Sequence, residues 1–389
     1  MNELIVRIAA RGDGVTDSGR HVPFAVPGDV LLDDGALAFG PHHQEPPCRH
    51  FPECGGCQLQ HADDSAYRGY LVSRIETALA QHQLTSDIRE PHLSPPCSRR
   101  RATLKALRLG QGAVVGFHAE KSHVIVDMRE CHILRPELFA LVQPLRNLFS
   151  RTLQPKRGAE AQLTLIDGGV DLLLRNVSAE GLEAIEALTD FALEHRLTRL
   201  SVDTGNGPET VYEPVPAAVI LAGNTVAFPH GAFLQATADG EAALVACVRE
   251  CVAGAAPIAD LFAGLGTFAL ATRAAYAAEA SRDATAALKR AAPAMAVDHR
   301  DLYRRPLDGA ELARFTAVVL DPPRSGAEQQ VRQLAGSKVE RIAYVSCNPA
   351  TFARDAAILA NGGYALAWVR PVGQFRWSTH VELAACFLR

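Results

Sequence analysis

The most regular hydrophobic pattern of this chain begins near residue 240 and continues to its end. There, short apolar runs alternate with segments whose apolar residues recur every three or four positions. The pattern predicts strands at 258–262, 277–280, 295–297, 317–320, 342–345, 366–369 and 381–388, with helices between most of them. Because alternating strands and helices build parallel sheets, the predicted fold class is α/β with a doubly wound sheet.

The earlier segments follow other patterns. Residues 1–45 combine short apolar runs with glycine-containing turns, which predicts a small β-barrel or a pair of hairpins, with an irregular extension as the alternative. Helices are then predicted at 65–84, 136–150 and 179–195, strands at 102–109, 113–117 and 124–128, and a hairpin at 161–175. Further strands follow up to residue 228, so the middle of the chain is predicted to be α+β.

Composition limits the partners and the compartment. The formal net charge of -4 excludes nucleic-acid binding through overall basicity, so a polyanion site has to be a local patch. Residues 97–121 hold six Lys or Arg and one Glu, which indicates either such a patch or a solvated strand edge. No stretch approaches the roughly 18 apolar residues of a membrane helix, and the first residues carry charges where a signal peptide would be apolar. We therefore expect a cytoplasmic protein.

The nine cysteines are expected to be metal ligands, a nucleophile or core residues, and not disulfides, as is usual for cytoplasmic proteins. Cys247, Cys251 and Cys386 lie on apolar faces of predicted elements and are assigned to the core.

A second group of cysteines predicts a metal site. Cys48, Cys54 and Cys57 lie within ten residues and enclose two glycines that let the backbone fold tightly round an ion. Cys131 is the predicted remote fourth ligand, ahead of Cys97, which follows two prolines in a predicted loop. Four thiolates suit zinc, but three clustered ligands with a remote fourth are also typical of iron–sulfur ligation, so both metals remain open.

Acidic residues and glycines mark the ends of successive predicted strands. The segment DLFAGLGT at 260–267 opens a helix, and Gly264 lets the main chain approach a ligand closely. The segment lacks the third glycine of a dinucleotide fingerprint, which favours a nucleoside without a pyrophosphate, such as S-adenosylmethionine. Glu279 ends the second strand, where it could accept ribose hydroxyl protons. Asp301 follows the third strand near the expected adenine edge, and Asp321 ends the fourth before two prolines.

A cysteine follows the next strand. The segment RIAYVSCNPATFARD at 341–355 predicts a buried strand that delivers Cys347 to the carboxyl edge of the sheet, where ligands of open α/β folds bind. Pro349 restricts the residue before it and fixes φ where the next helix begins, so the turn is expected to be stiff. Alone, such a cysteine would be assigned to the core. Beside the neighbouring strand ends, it is a candidate nucleophile.

These motifs resemble one known family. DLFAGLGTFAL, LDPPRSGA, YVSCNPATFARD and HVELAACF are similar to the motifs of RNA uracil-5-methyltransferases that use S-adenosylmethionine. The cysteine set resembles that of the subgroup that carries a [4Fe–4S] cluster and methylates 23S rRNA. The first 45 residues, with GDGV and VPGDV, resemble the small RNA-binding β-barrel called TRAM. The resemblance covers nearly the whole chain.

The resemblance implies a domain division and a set of site residues. It implies a TRAM-like OB barrel at 1–45, an iron–sulfur-binding and RNA-binding α+β region at 46–235, and a Rossmann-like class I methyltransferase domain at 236–389. Cys347 would be the nucleophile and Glu382 the general base. The residues that would hold S-adenosylmethionine are Gln235, Phe262, Gly264, Glu279 and Asp321. The [4Fe–4S] ligands would be Cys48, Cys54, Cys57 and Cys131.

The expected function is methylation of a uridine at C5 in 23S rRNA by a monomer that binds neither DNA nor membranes. The alternatives are a tRNA uracil-5-methyltransferase and a non-catalytic RNA-binding iron–sulfur protein. The chain departs from the family at Thr237, where Asn is usual, and at Gln374 and Arg376, where an acidic residue and a proline are common. Phe375 or Trp377 could stack on a flipped base. His380, close to Glu382 in sequence, is expected to be a structural residue at a strand edge.

Overall fold

The computed structural model describes residues 2–389, and its first element is a small antiparallel sheet. The strands are β1 (Glu3–Ile8), β2 (Gly14–Thr16), β3 (His21–Val22), β4 (Val30–Leu31) and β5 (Leu37–Ala38). They pair in the order β3-β2-β1-β4-β5 and curl into a half-barrel. The buried Asp29 carboxylate closes one corner by accepting the N–H groups of Val26 and Gly40 at 2.9 and 2.7 Å. The prediction of a small barrel or hairpin pair is confirmed.

A connecting segment follows the half-barrel. It consists of α1 (Asp64–Ala80) and two short strands, β6 (Asp87–Ile88) and β7 (His92–Leu93). Asp63 caps α1 by accepting the N–H of Ala66 at 2.7 Å. The helix was predictable from its apolar spacing, whereas strands of two residues have no hydrophobic period to detect.

The middle of the chain forms a mixed sheet with helices against it. Its elements are β8 (Arg101–Leu109), β9 (Gly112–Gly116), α2 (Pro136–Phe139), α3 (Val142–Thr152), β10 (Gly158–Ile166), β11 (Gly169–Arg175), α4 (Leu182–Glu194), β12 (Arg199–Asp203) and β13 (Pro208–Tyr212). The strand order is β13-β12-β11-β10-β8-β9. A separate hairpin follows, formed by β14 (Ala218–Leu221) and β15 (Asn224–Ala227). The α+β character and the predicted hairpin are confirmed.

Two predictions for this region are wrong in detail. The segment 124–128 does not form a regular strand: it makes one isolated bridge, between His118 and Ile125, and hydrogen bonds from the N–H groups of Val126 and Met128 to the carbonyls of Phe117 and Val115. The single helix predicted at 136–150 is two helices. Pro144 has no N–H to donate to the carbonyl of Ala140 and its ring crowds that carbonyl, which accounts for the break.

The C-terminal part alternates helices and strands as predicted. Its elements are α5 (Ala238–Cys251), β16 (Ile258–Leu261), α6 (Thr267–Thr272), β17 (Tyr276–Glu279), α7 (Arg282–Ala291), β18 (Ala296–His299), α8 (Gly309–Leu312), β19 (Ala317–Leu320), α9 (Glu328–Ala335), β20 (Arg341–Ser346), α10 (Pro349–Asn361), β21 (Ala365–Gly373) and β22 (Glu382–Leu388). The strand order is β18-β17-β16-β19-β20-β22-β21-β6. The first five strands are parallel, and β22 is antiparallel to both neighbours. The predicted α/β class with a doubly wound sheet is confirmed.

The connecting segment completes this sheet. Both β6 and β7 pair in parallel with β21, and α1 packs against α10. Residues that precede the middle sheet in sequence therefore belong structurally to the C-terminal sheet. None of the helices within residues 2–389 combines the length and the apolar character needed to span a bilayer.

One expectation about the cysteines is wrong. Cys251, the last residue of α5, and Cys386, in β22, form a disulfide with a Cα–Cα distance of 5.5 Å. Helix α5 packs on β22, which brings together two residues separated by 135 positions. Both residues and Cys247 are nevertheless buried in the core, as expected.

Candidate active site

A cleft of about 1550 Å³ opens along the carboxyl ends of the parallel strands. The turns that follow β16 to β20 and the start of β22 form its floor. All eight residues expected to act in catalysis or cofactor binding line this cleft: Gln235, Phe262, Gly264, Glu279, Asp301, Asp321, Cys347 and Glu382. Six of them converge because the ends of the parallel strands β16 to β20 meet at one edge of the sheet. Gln235 and Glu382 reach the same edge from the loop before α5 and from the start of the antiparallel strand β22.

The turn between β16 and α6 forms one wall. Gly264 and Gly266 have φ values of +55° and +93°, a region that glycine adopts without steric penalty. A Cβ at residue 266 would lie 2.5 Å from Leu288 Cδ1, whereas the same point at residue 264 has no atom within 4 Å. Phe262 also has a positive φ of +65°, which is uncommon for a side chain of this size. At Gly264 the turn therefore brings the main chain, without a side chain, up to the cleft.

Glu279 ends β17 with its carboxylate fixed by main-chain donors. Its Oε2 accepts the N–H of Gly264 at 2.9 Å, and its Oε1 accepts the N–H of Ser281 at 2.7 Å. A carboxylate has about four acceptor sites, so lone pairs remain for hydroxyl donors in the cleft.

Asp301 follows β18 and organises the next turn. Its Oδ1 accepts the N–H of Tyr303 at 3.0 Å. The ring of Tyr303 then lies 5.6 Å from the ring of Phe262, measured between centroids. Two aromatic rings therefore border the cleft near Asp301, where a planar heterocycle could pack.

Two carboxyl groups with raised pKa values, Asp321 and Glu382, line the cleft, and a third, Asp260 in β16, is fully buried and does not line it. Complete burial, followed by repulsion from Asp321, raises the pKa of Asp260 well above its ordinary value. Burial and the charge of Glu279 raise the pKa of Asp321 to about 7. Burial, followed by Asp321, raises the pKa of Glu382 to about 8, although a hydrogen bond from Gln374 acts in the opposite direction. The floor therefore retains protons at a pH where surface carboxyl groups are ionised.

Cys347 and Glu382 lie at the ends of neighbouring antiparallel strands. Ser346, the last residue of β20, pairs with Leu383 in β22. Because the two strands are antiparallel, Cys347, which follows Ser346, and Glu382, which precedes Leu383, reach the same edge of the sheet. Burial, followed by the charge of Glu382, raises the pKa of the Cys347 thiol, and Arg324 opposes the shift. The thiol therefore keeps its proton at neutral pH and needs a base before it can act as a nucleophile.

The turn after Cys347 is held by short-range hydrogen bonds. Asn348 Oδ1 accepts the N–H of Ala350 at 3.1 Å and caps α10, with Pro349 in the first turn. Ser346 Oγ accepts the N–H of Asn348 at 3.2 Å. The expectation of a stiff turn agrees with this geometry.

Two buried glutamines connect separate parts of the cleft. Gln374 Nε2 donates to Gln235 Oε1 at 2.8 Å, and Gln374 Oε1 accepts the N–H of Ala236 at 2.9 Å. Gln235 Nε2 in turn lies 3.5 Å from Asp321 Oδ2. Sequence patterns indicate Gln374 only as a departure from the family, since its contacts are to residues far away in the chain.

The outer wall of the cleft carries rings and cations. The guanidinium of Arg99 lies 5.6 Å from the centroid of the Phe375 ring, and Arg324 Nη2 lies 2.6 Å from His380 Nδ1. His380, predicted to be a structural residue at a strand edge, also lines the cleft and lies two residues before β22 begins. Trp377 is only 4% exposed and packs in the core, which leaves Phe375 as the ring that borders the cleft.

A further aromatic residue was not predicted. Phe233, which is 58% exposed, lines the cleft with the guanidinium of Arg101 4.3 Å from its ring centroid. The available signal was a phenylalanine two positions before Gln235 in a segment without apolar periodicity.

The basic segment at 97–121 is less available than its composition indicates. Arg100 pairs with Glu241 at 2.6 Å, and Lys105 pairs with Glu160. Arg99 and Arg101 line the cleft and are the members of this segment best placed to meet a phosphate there.

A second, small cavity lies next to the cleft. It is lined by Cys48, Cys54, Cys57 and Cys131. Cys97 is exposed and is not among the lining residues, which favours Cys131 as the fourth member of the set. Gly56 and Phe117 border both this cavity and the cleft. The predicted thiols therefore converge.

The metal expected there is not confirmed by side-chain geometry. Within residues 2–389, no three His, Cys, Asp or Glu side chains are placed closely enough to hold a metal ion. The donor set still fits an iron–sulfur cluster, since four thiols converge on one cavity and a cluster spreads its thiolates farther apart than a single ion does.

Sequence comparison connects the chain with RNA methyltransferases. The tRNA (Uracil-5-)-methyltransferase family matches residues 292–389. An uncharacterized RNA methyltransferase of Zymomonas mobilis is 49% identical over 393 residues, covering 99% of each chain. The 23S rRNA (uracil(1939)-C(5))-methyltransferase RlmD of Pectobacterium carotovorum is 32% identical over 375 residues, covering 90% of this chain and 82% of its own length.

A solved structure shares the fold. The tRNA (uracil-54, C5)-methyltransferase of Pyrococcus abyssi, in complex with S-adenosyl-L-homocysteine, matches with a TM-score of 0.75 at 21% identity. The match covers 100% of this chain and 99% of that chain, so it includes the half-barrel and both large sheets. The solved structure confirms the fold, and the sequence relatives confirm the family expected from the motifs. The chain belongs to the S-adenosylmethionine-dependent RNA uracil-5-methyltransferases.

Proposed function

We propose that this protein transfers the methyl group of S-adenosylmethionine to C5 of a uridine in 23S rRNA. The observation that carries the proposal is the meeting of Cys347 and Glu382 at one edge of the cleft, beside Asp321. Uracil C5 is a poor nucleophile, so its methylation calls for a nucleophile that activates the ring and a base that later removes the C5 proton. A thiol and a carboxyl group supply these two functions.

The methyl donor would occupy the part of the cleft beside the glycine turn. Glu279, already fixed by two main-chain donors, would accept the ribose hydroxyl protons. Phe262 and Asp301 would border the adenine, and Gly264 would allow close approach of the main chain. Gln235 and Asp321, the other two residues expected to contact S-adenosylmethionine, would border its methionine part, nearer to Cys347.

Cys347 opens the proposed reaction. The Cys347 thiol first gives its proton to solvent; the thiolate sulfur then forms a bond to C6 of uracil, and the electrons of the C5–C6 double bond move into an enolate. C5 then bonds to the methyl carbon while the methyl–sulfonium bond breaks, which leaves S-adenosylhomocysteine. Glu382, in its ionised form, removes the C5 proton, the double bond re-forms, and the bond between sulfur and C6 breaks to release the thiolate, which takes its proton back from solvent.

The target base has to leave its stack to reach Cys347. Phe375, with Arg99 beside it, lines the route and could stack on the flipped base. Exposed Phe233 with Arg101 offers a second ring and cation at the same mouth. These pairs combine base stacking with phosphate contact in a protein whose net charge is negative.

We further propose that Cys48, Cys54, Cys57 and Cys131 hold a [4Fe–4S] cluster. The cluster would supply covalent cross-links between residues 48–57 and Cys131, and methyl transfer needs no redox step from it. Because Gly56 and Phe117 border both cavities, these cross-links would brace the wall that faces RNA.

The 32% identity with a 23S rRNA enzyme over 90% of the chain supports rRNA as the substrate. The match to the tRNA (Uracil-5-)-methyltransferase family over residues 292–389 keeps tRNA as the second candidate. We propose a monomer that acts on RNA in the cytoplasm, with divisions between its parts near residues 45 and 235, except that α1, β6 and β7 belong with the C-terminal catalytic sheet.

The experiment that tests the function is product mapping. The protein is incubated with S-adenosylmethionine and unmodified 23S rRNA or unmodified tRNA, and digests are searched for a mass gain of about 14 Da. We expect 5-methyluridine in one rRNA fragment. The same product only in tRNA would move the protein to the tRNA branch, and methylation of neither would favour the non-catalytic RNA-binding alternative.

A further inference from the structure

Tyr303 joins two loops that leave the sheet at separate strands. It lies in the turn after β18, and its hydroxyl group donates at 2.9 Å to the carbonyl oxygen of Gly326, in the loop after β19. In the strand order, β17 and β16 lie between β18 and β19. With a strand spacing of about 4.8 Å, β18 and β19 are about 14 Å apart. The two loops therefore approach each other at the carboxyl edge of β17 and β16, and Tyr303 bridges them.

The hydroxyl group of Tyr303 uses both of its hydrogen-bonding functions. Its hydrogen is donated to Gly326, so its oxygen can accept from the hydroxyl group of Ser325, which lies 2.7 Å away. At the other end of the residue, the main-chain N–H of Tyr303 donates to Asp301 Oδ1 at 3.0 Å. The ring is thus held at both ends, and phenylalanine at this position could not make the bridge.

The loop that receives these bonds is itself anchored. The carbonyl oxygen of Ser325 accepts from Arg354 Nη2 at 3.0 Å, and the N–H of Ala327 donates to the buried Asp355 at 2.7 Å. Arg354 and Asp355 lie in α10, which packs against α9. The bridge therefore ties the turn after β18 to a fixed part of the structure.

The ring of Tyr303 presents an aromatic surface to the cleft. Tyr303 is 41% exposed and lines the cleft, and its ring centroid lies 5.6 Å from that of Phe262 at an interplanar angle of 57°. Two neighbouring rings open to a cleft offer a surface on which a planar heterocycle packs, and adenine is the planar heterocycle of S-adenosylmethionine. Tyr303 lies outside the motifs that indicate the family, so sequence patterns do not identify it.

We propose that Tyr303 is a further cofactor-binding residue that closes the adenine end of the cleft. Its ring packs against the adenine, and its hydroxyl bridge holds that ring in place. The inference deepens the proposed function, since it rests on the proposed placement of the adenine beside Phe262 and Asp301, but it does not depend on which RNA is methylated. The affinity for the cofactor then has two separable contributions from Tyr303, one from the ring and one from the hydroxyl group.

The test removes these contributions one at a time. Tyr303→Leu removes the ring and the bridge, whereas Tyr303→Phe removes only the bridge. Tyr212→Leu is the matched control, because it removes a tyrosine ring from β13, outside the cleft. Folding is verified by thermal unfolding without ligand. Calorimetry measures the Kd of S-adenosylhomocysteine, and initial rates give separate KM values for S-adenosylmethionine and for RNA.

We expect Tyr303→Leu to bind S-adenosylhomocysteine roughly tenfold to a hundredfold more weakly, because it loses both the aromatic contact and the bridge. Tyr303→Phe should lose roughly threefold in affinity, and Tyr212→Leu should match the wild type. The KM for S-adenosylmethionine should rise in the same order, while the KM for RNA should not change. If Tyr303→Leu does not fold, Tyr303→Gln, whose polar side chain suits a partly exposed position, replaces it with the same expected loss.

A Kd within about twofold of the wild type in the folded variant without the ring would overturn the inference and leave the proposed function intact. An equal loss of affinity in Tyr212→Leu would overturn it as well, and an unchanged Kd in Tyr303→Phe would overturn the role of the bridge. A wild-type protein that binds S-adenosylhomocysteine but methylates neither RNA would overturn the proposed function, while the Kd values of the variants would still decide the inference.

Discussion

The side-chain nitrogen of Asn348 donates to the carbonyl oxygen of Arg324 at 3.0 Å. Thr351 Oγ1 donates to the same oxygen at 3.1 Å. These bonds join the turn that carries Cys347 to the loop that follows Asp321. The spacing between the thiol and the acidic floor is therefore set by hydrogen bonds across two loops.

Asn348→Ala should show whether Asn348 positions Cys347 for catalysis or only stabilises the fold. The change removes the cap of α10 and the bond to Arg324, and loss of a cap costs about 1 kcal/mol. We expect Tm to fall by roughly 2 to 4 °C, and the rate of methyl transfer to fall by about tenfold or more because the nucleophile is misplaced. Asp308→Ala is the control, since it removes a cap of α8 outside the cleft. Equal loss of activity in the two variants would contradict a positioning role.

Cys347→Ala should abolish both the covalent RNA adduct and the product. The fold should be retained, because the residue lies in a capped turn at the cleft. Binding of S-adenosylhomocysteine, measured by calorimetry, should persist. The exposed Cys97→Ala is the matched control and should retain full activity. Methylation by Cys347→Ala at the wild-type rate would exclude this thiol as the nucleophile.

Glu382→Gln should alter the pH dependence of stability. The pKa of Glu382 is about 8 in the folded protein, against an ordinary value of 4.5. Between these values the folded state holds a proton that the unfolded state has released, so the free energy of unfolding falls as pH rises. The full contribution is present below about pH 4.5 and is lost through about pH 8. Urea unfolding measures the free energy of unfolding, which should decline less between pH 5 and pH 8 in Glu382→Gln than in the wild type, by up to a few kcal/mol. Identical slopes for variant and wild type would contradict the raised pKa.

Gly266→Ala should be more damaging than Gly264→Ala. Both residues have a positive φ, so either change strains the backbone by about 1 kcal/mol. Only at residue 266 does the new Cβ also collide with Leu288, at 2.5 Å. We expect Gly266→Ala to lose an additional 1 to 3 kcal/mol or so of stability through overpacking and to bind S-adenosylhomocysteine more weakly. Chemical denaturation and calorimetry of both variants provide the comparison, and equal destabilisation would contradict it.

If the [4Fe–4S] cluster is present, protein purified without air should be brown, absorb broadly at about 400 nm and contain about four iron atoms per chain. Cys131→Ala should lose the iron, whereas Cys97→Ala should keep it, because Cys131 lines the thiol cavity and Cys97 does not. A colourless preparation with one zinc per chain would exclude the cluster. Iron content and absorbance test for the cluster independently of enzymatic activity.

Four of the five parallel strands, all except β18, were predictable because most of their residues are buried on both faces. Strand β19 is buried throughout and was predicted to the residue. Once the strands were placed, the parallel topology required that Glu279, Asp321 and Cys347 reach one edge of the sheet. The local sequence was therefore sufficient for the floor of the cleft.

The features that escaped prediction depend on contacts between distant parts of the chain. The Cys251–Cys386 disulfide joins the end of α5 to β22, the last strand, across 135 residues. Gln374 acquires its environment from Gln235, in a separate loop. Such contacts leave no periodic signal in sequence, and neither do strands of two residues such as β6 and β7.

The position of β6 at the far edge of the nine-stranded sheet has a consequence for the synthesis of the protein. Ser86, just before β6, bonds to the main chain of Leu366, 280 residues later. On the ribosome, the segment that contains β6 and β7 leaves the exit tunnel long before its partner β21 has been translated. This edge of the sheet therefore closes only when synthesis is almost complete, and the C-terminal sheet is completed by strands from two separate parts of the chain.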